Sequence, residues 1–178
     1  MKFLVKNIFI TIFFFILIVQ SDKALTKEKQ YKYTKEDISN YFLGVVLAER
    51  GQNKRAYKEL NNAQKLKNKH TQFNIEFIRT LILLEKFNQS FDFSESVWKE
   101  EELLFEIDLL LGLNYFLEED FKNAEKHFLR LNQISQYNIY FDNFIGNILV
   151  AWVRASEGNK EGSYEFLNKV PKPYRHLK

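Results

Sequence analysis

The chain has 178 residues but no cysteine, two prolines, six glycines and three histidines. Without cysteine it has no disulfide, thiol nucleophile, cysteine-ligated zinc site or lipidated N-terminal cysteine. Its few glycines form neither a serine-nucleophile elbow nor a phosphate- or dinucleotide-binding loop. His70, His127 and His176 are too widely spaced to predict a zinc site. No cofactor or metal is therefore expected, and the sequence does not predict an enzyme.

Signals for β-strands and for nucleic-acid binding are weak too. The β-branched residues are scattered, they do not alternate with polar residues, and no Asn-Gly or Asp-Gly turn occurs.

The net charge is +3, and it falls to about +1 once Lys2 and Lys6 are removed with a targeting segment. A nearly neutral chain lacks the basic stripe that a nucleic-acid partner requires. The acidic runs at 100–102 and 118–120 flank helix boundaries, which acidic side chains favour, so we do not interpret them as catalytic carboxylates.

The N-terminus has the pattern of a targeting segment. Lys2 and Lys6 precede an apolar run from Ile8 to Val19. As a helix this run rises about 18 Å, which is shorter than a hydrocarbon core of about 30 Å. A basic start, a short apolar centre and a polar exit are typical of a secretory signal peptide, which we place at residues 1–21. An uncleaved membrane anchor is the alternative, and either form places the domain in a bacterial periplasm.

An apolar pattern recurs along the chain with a period of 34 residues. Gly44, Ile78 and Gly112 occupy the same position in three successive units. The small residues, including Ala56 and Ala124, are expected where the two helices of a hairpin cross closely. The pattern predicts helices at residues 34–50 and 53–67, 71–86 and 88–100, and 102–118 and 121–135.

The domain is predicted to span residues 34–178, after a polar spacer at 22–33. Its first helix begins with a Thr34–Asp37 capping box. A strict period in the fourth unit would place Gly158 and Gly162 inside a helix, at a cost of about 1 kcal/mol each. Shifting that unit by five residues instead places Gly158 in the turn and implies either a longer connection at 136–142 or a longer helix that begins near Tyr140.

The helical pattern resembles the tetratricopeptide repeat. Asn40-x-x-Leu43-Gly44-x-x-Leu47 and Asp108-x-x-Leu111-Gly112-x-x-Tyr115 are similar to the first helix of that repeat, and Ala56-x-x-x-Leu60-x-x-Ala63 and Phe121-x-x-Ala124-x-x-x-Phe128-x-x-Leu131 to the second. Asn40 and Asp108 replace the usual Trp, and Asn53 replaces an aromatic residue. With its signal-like N-terminus the chain also resembles secreted repeat proteins of alphaproteobacteria. The resemblance implies an all-α, right-handed solenoid of antiparallel helix pairs, with about 3.5–4 repeats.

The resemblance also implies a binding surface, because the first helices of such repeats line a concave groove. The groove-facing positions in this chain are Tyr41, Val45, Glu49, Gln72, Ile75, Arg79, Leu109, Leu113, Phe116, Ile148 and Trp152. A largely apolar groove suits a peptide or protein partner, or a second copy of the chain. Among these residues, Arg79, Phe116 and Trp152 are the predicted affinity determinants.

Two further functions stay open from the sequence. One is a small-molecule or glycan-binding protein with a pocket around Tyr41, Arg79, Phe116 and Trp152. The other is a membrane-anchored accessory protein for envelope assembly, attached only through its uncleaved N-terminus. An open groove would favour a peptide, whereas an enclosed pocket with convergent polar groups would favour a small ligand.

Overall fold

The computed structural model describes residues 33–67, 69–135 and 144–170, in which every regular element is helical and no strand occurs. The helices are α1 (Lys35–Glu49), α2 (Asn53–Asn62), α3 (Thr71–Leu83), α4 (Phe87–Val97), α5 (Phe105–Leu117), α6 (Phe121–Ser135), α7 (Phe144–Ser156) and α8 (Lys160–Lys169). A 3₁₀ turn, Gln64–Leu66, follows α2. None of these helices is long and apolar enough to cross a membrane. The predicted signal peptide, nearly all of the spacer and the predicted connection at 136–142 lie outside the described residues.

The eight helices form four antiparallel pairs that follow one another along the chain: α1–α2, α3–α4, α5–α6 and α7–α8. Each pair packs against the next through its second helix. One apolar core joins the first two pairs to α5, and a second core joins α5 and α6 to α7. The predicted all-α stack of helix pairs is confirmed.

The turn inside each pair has the same backbone conformation. Gly51, Glu85, Glu119 and Gly158 have φ values of 70°, 57°, 61° and 77°. In each case the following residue donates its N–H to a carbonyl five residues back at 2.9 Å, as in a Schellman motif. The first three turns are separated by the 34-residue period, and the fourth comes five residues late. The shift that the sequence predicts in the fourth unit is therefore the one that the structure has.

The glycines of the period lie at close helix crossings. A Cβ added at Gly44 would stand 2.6 Å from Cγ of Leu60, and one added at Gly112 would stand 2.6 Å from Cδ1 of Phe128. Ala56 and Ala124 are fully buried on the opposing helices. The first and third pairs can thus pack closely because neither glycine has a side chain to hold the helices apart.

The first helix begins as the sequence predicts. The N–H of Asp37 donates to Oγ1 of Thr34 at 3.1 Å, and the N–H of Thr34 donates to Oδ2 of Asp37 at 2.9 Å. The pKa of Asp37 is lowered, first by that backbone N–H and then by the Thr34 hydroxyl. This capping box fixes the residue at which α1 begins.

Candidate functional site

An apolar pocket of about 720 Å³ opens between the second helix pair, α5 and α7. Its walls are α5, with Leu109, Leu113 and Phe116, together with Phe91 of α4 and Trp152 of α7. Asn88 supplies the only polar side chain of the lining. A cavity of this kind binds apolar groups and offers very few hydrogen bonds to a polar ligand.

Helical spacing explains how α5 contributes the largest share of this wall. Leu109, Leu113, Phe116 and Leu117 recur at intervals of four, seven and eight residues from the first, and such positions share one face of a helix. The opposite face of α5 is buried against its neighbours mainly through apolar residues such as Leu111. α5 is therefore apolar on two faces, one covered by the fold and one lining the pocket.

Four of the residues predicted for the groove meet in this pocket: Leu109, Leu113, Phe116 and Trp152. Trp152 is 56% exposed although it is one of the largest side chains of the protein. Phe116 is half-buried, and its ring centroid lies 5.8 Å from that of Phe121. The three predicted positions of the third unit and one of the two in the fourth therefore face one shared cavity.

The second helix pair contributes to the pocket with residues that the sequence did not predict. Phe87 and Phe91 of α4 line the pocket, as does Leu117 at the end of α5. The repeat resemblance assigns the groove to first helices, so it predicts no contribution from a second helix such as α4. Half of Phe87 is exposed, and an exposed aromatic residue at the start of a helix is a signal that can point to such a surface.

Arg79 lies outside the pocket and is held by two acidic residues. Its Nη2 is 2.5 Å from Oε1 of Glu106 on α5, and its Nη1 is 3.3 Å from Oε1 of Glu76. Gln72, also predicted for the groove, donates to the same Glu76 oxygen at 2.8 Å. Arg79 thus links α3 to α5, and a partner would have to compete with Glu106 for its guanidinium.

The remaining predicted groove residues do not line the pocket. Tyr41 is only 9% exposed, and its ring centroid lies 4.8 Å from that of His70, so burial raises the pKa of its hydroxyl. Ile148 is buried, Val45 and Ile75 are half-buried, and Glu49 is exposed. Because Tyr41 and Arg79 are absent from the lining, the four-residue ligand pocket considered from the sequence does not form as one cavity.

A buried polar cluster lies on the other side of α5. Oδ1 of Asp108 accepts from Arg130 Nε at 2.7 Å and from Trp98 Nε1 at 3.2 Å, and it lies 2.9 Å from Nδ1 of His127. Arg130 also donates to the carbonyl oxygens of residues 99, 100 and 102. The cluster fixes the loop between α4 and α5 to α6. No group of three His, Cys, Asp or Glu residues that could hold a metal occurs among the described residues.

No family model matches the chain. No curated protein matches it either. Its fold is shared by solved structures, among them two of MamA. One, titled a MamA RS-1 double mutant, is 17% identical with a TM-score of 0.61, and the match covers 82% of this chain and 79% of that one. The other, MamA from residue 41 to its end from Desulfovibrio magneticus RS-1, is 16% identical with a TM-score of 0.58, and the match covers 88% and 83%.

Proposed function

We propose that the protein is a non-catalytic scaffold that binds an apolar or amphipathic segment of a protein partner in the pocket between α4, α5 and α7. The observation that carries this proposal is the pocket itself, since its lining is apolar except for Asn88. Burying one large apolar side chain there contributes about 1.5–3 kcal/mol. A helix or extended peptide presents such side chains at regular intervals, so several can enter one cavity together.

The composition of the lining separates the alternative ligands. A glycan carries many hydroxyl groups, and burying a hydroxyl without a hydrogen bond costs about 1–3 kcal/mol in proteins. With only Asn88 to bond them, a sugar would lose more than stacking on Trp152 returns. A small apolar molecule is the second candidate, because the same lining suits it.

Trp152 provides the sharpest test of partner binding. A random peptide library displayed on phage is selected against the full chain, and a recovered peptide is titrated into the wild type and Trp152→Ala. The truncation should weaken binding at least about fivefold, which corresponds to about 1 kcal/mol. The melting temperature should change little, because Trp152 is more than half exposed.

Two variants control this experiment. Tyr164→Ala removes another exposed aromatic residue, located on α8 and outside the pocket lining, and should leave peptide affinity unchanged. Leu113→Asn places an amide in the pocket and should abolish binding. Selection of no peptide, together with displacement of a pocket-bound apolar dye by fatty acids, would support the small-molecule alternative and reject the peptide proposal.

We also propose that the domain acts after export. The support is the basic, then apolar, then polar order of residues 1–21. Cell fractionation followed by N-terminal sequencing should recover a periplasmic chain that begins near residue 22. A membrane-bound chain that retains Met1 would favour the anchor alternative, and a cytosolic chain that retains Met1 would reject export.

A further inference from the structure

The outer face of α1 is apolar although nothing in the described residues covers it. Ile38, Phe42, Leu43 and Val46 all lie on this face, and each of them is exposed. Phe42 is at its centre and is 62% exposed. Ile38, Phe42 and Val46 are four residues apart and form one ridge of the type that packs into a groove on a facing helix.

The inner repeats bury the position that corresponds to Leu43. Leu43 is 45% exposed, whereas Phe77 and Leu111, which are 34 and 68 residues further along, are 0% and 2% exposed. Phe77 stacks on Tyr57 of the preceding pair, with ring centroids 6.0 Å apart. A preceding pair therefore packs against this position of a first helix, and in α1 no described residue covers it.

The charges on α1 indicate which partner fits. Lys35 and Glu49 lie at opposite ends of the apolar ridge and are exposed. Among the described residues neither has an ion-pair partner. If a second α1 lies antiparallel with Phe42 on the twofold axis, Lys35 meets Glu49 of the other copy and Ile38 meets Val46. The ridge is thus complementary to itself in residue spacing and in charge, as an isologous interface requires.

We propose that two copies of this chain associate through α1, antiparallel and centred on Phe42. The apolar ridge supplies the affinity, and the two Lys35–Glu49 pairs set the register, because exposed ion pairs contribute little free energy but disfavour wrong alignments. This interface uses none of the residues that line the pocket. Failure of one proposal therefore leaves the other unaffected.

The absence of cysteine makes a direct test possible. The full chain carrying Phe42→Cys is expressed in a bacterium, oxidised in intact cells with copper–phenanthroline, and analysed on a non-reducing gel. Leu83→Cys is the matched control, since Leu83 is equally exposed but lies on α3. Because Cys pairs on the axis can approach within disulfide distance, we expect on the order of fivefold more cross-linked dimer from Phe42→Cys than from the control.

Charge reversal tests the register. In the Phe42→Cys background, Lys35→Glu alone and Glu49→Lys alone should each lower the dimer yield, and the double reversal should restore it. Lys54→Glu, an exposed change on α2, should have no effect. A double reversal that fails to restore the dimer would overturn the antiparallel arrangement.

The reactivity of the thiol identifies the other possible occupants of the face. A Phe42→Cys chain that forms no dimer and reacts slowly with a maleimide would show that the chain's own N-terminal residues or another protein cover the face. One that forms no dimer and reacts as fast as Leu83→Cys would show an open face. Both results overturn the proposal.

Discussion

The second and third helix pairs share one repeat pattern but cross differently. In the third pair Gly112 faces the ring of Phe128, and α5 and α6 pack closely along their lengths. In the second pair the same position is Ile78, which is fully buried, and α3 and α4 contact each other less. The repeat pattern thus determines which helices pair, whereas the size of one side chain determines how closely they approach.

The cores of these two pairs also differ in chemistry. In the second pair, Phe77 and Phe93 meet edge to face with ring centroids 4.8 Å apart. The position equivalent to Phe93 in the third pair is His127, which contacts Asp108, itself held by Arg130. An aromatic core is stabilised by the exclusion of water alone. A buried charge cluster is stable only if each charged group keeps the ion-pair and hydrogen-bond partners that compensate its loss of hydration.

The largest effect is expected in the aromatic core. Phe77→Ala removes a fully buried ring and should lower the free energy of unfolding by about 3–5 kcal/mol, because the surrounding helices cannot close the cavity. Denaturant titration measures this change. The control Leu83→Ala, on the exposed side of the same helix, should change it by less than about 0.5 kcal/mol. A small loss for Phe77→Ala would mean that the second pair is loosely packed.

Neutralising the charge cluster should have the next largest effect. Asp108→Asn leaves the buried Arg130 without its anion and should lower the free energy of unfolding by about 3 kcal/mol. The equivalent residue in the second pair is the buried Asn74, and Asn74→Asp should also be costly, since burial disfavours the charge of a new carboxylate. If both variants were as stable as wild type, the proposed difference between an aromatic core in the second pair and a charge cluster in the third would be contradicted.

The close crossing of the third pair predicts whether a substitution raises or lowers stability. Gly112→Ala gains helix propensity, yet its Cβ would meet Phe128, and overpacking costs about 1–3 kcal/mol. We expect a net loss of about 1 kcal/mol in thermal or chemical unfolding. Without the close approach, alanine would raise stability by about 0.5–1 kcal/mol, so an increase would contradict the crossing.

The smallest effect is expected where the two pairs are alike. Glu85 and Glu119 occupy their turns with positive φ, a conformation that costs a residue with a side chain about 1–2 kcal/mol. Replacing either by glycine should raise stability by about 0.5 kcal/mol, after the entropy that glycine loses on folding. Gly51→Ala should instead lower the free energy of unfolding. Unequal effects at Glu85 and Glu119 would show that the turns differ between the pairs as the cores do.

Local signals in the sequence carried the fold predictions. The Thr34–Asp37 capping box, the turns at Gly51 and Gly158 and the 34-residue period each depend on residues that are close in the chain. The pocket could be predicted only in part, because Phe87 and Phe91 face Leu113 from a different pair. The burial of Tyr41 was missed for a similar reason, since His70 and Phe73, which cover it, lie on the next pair.

The sequence by itself determined the helices, their pairing and the late fourth turn, because helical periodicity and turn residues act over a few positions. Only the tertiary structure decided which apolar faces are covered. Phe42 resembles a core aromatic residue in the sequence yet is 62% exposed, whereas Tyr41, which was predicted to line the groove, is only 9% exposed. Their exposure depends on which helices stand beside them, and those helices are set by contacts between distant parts of the chain.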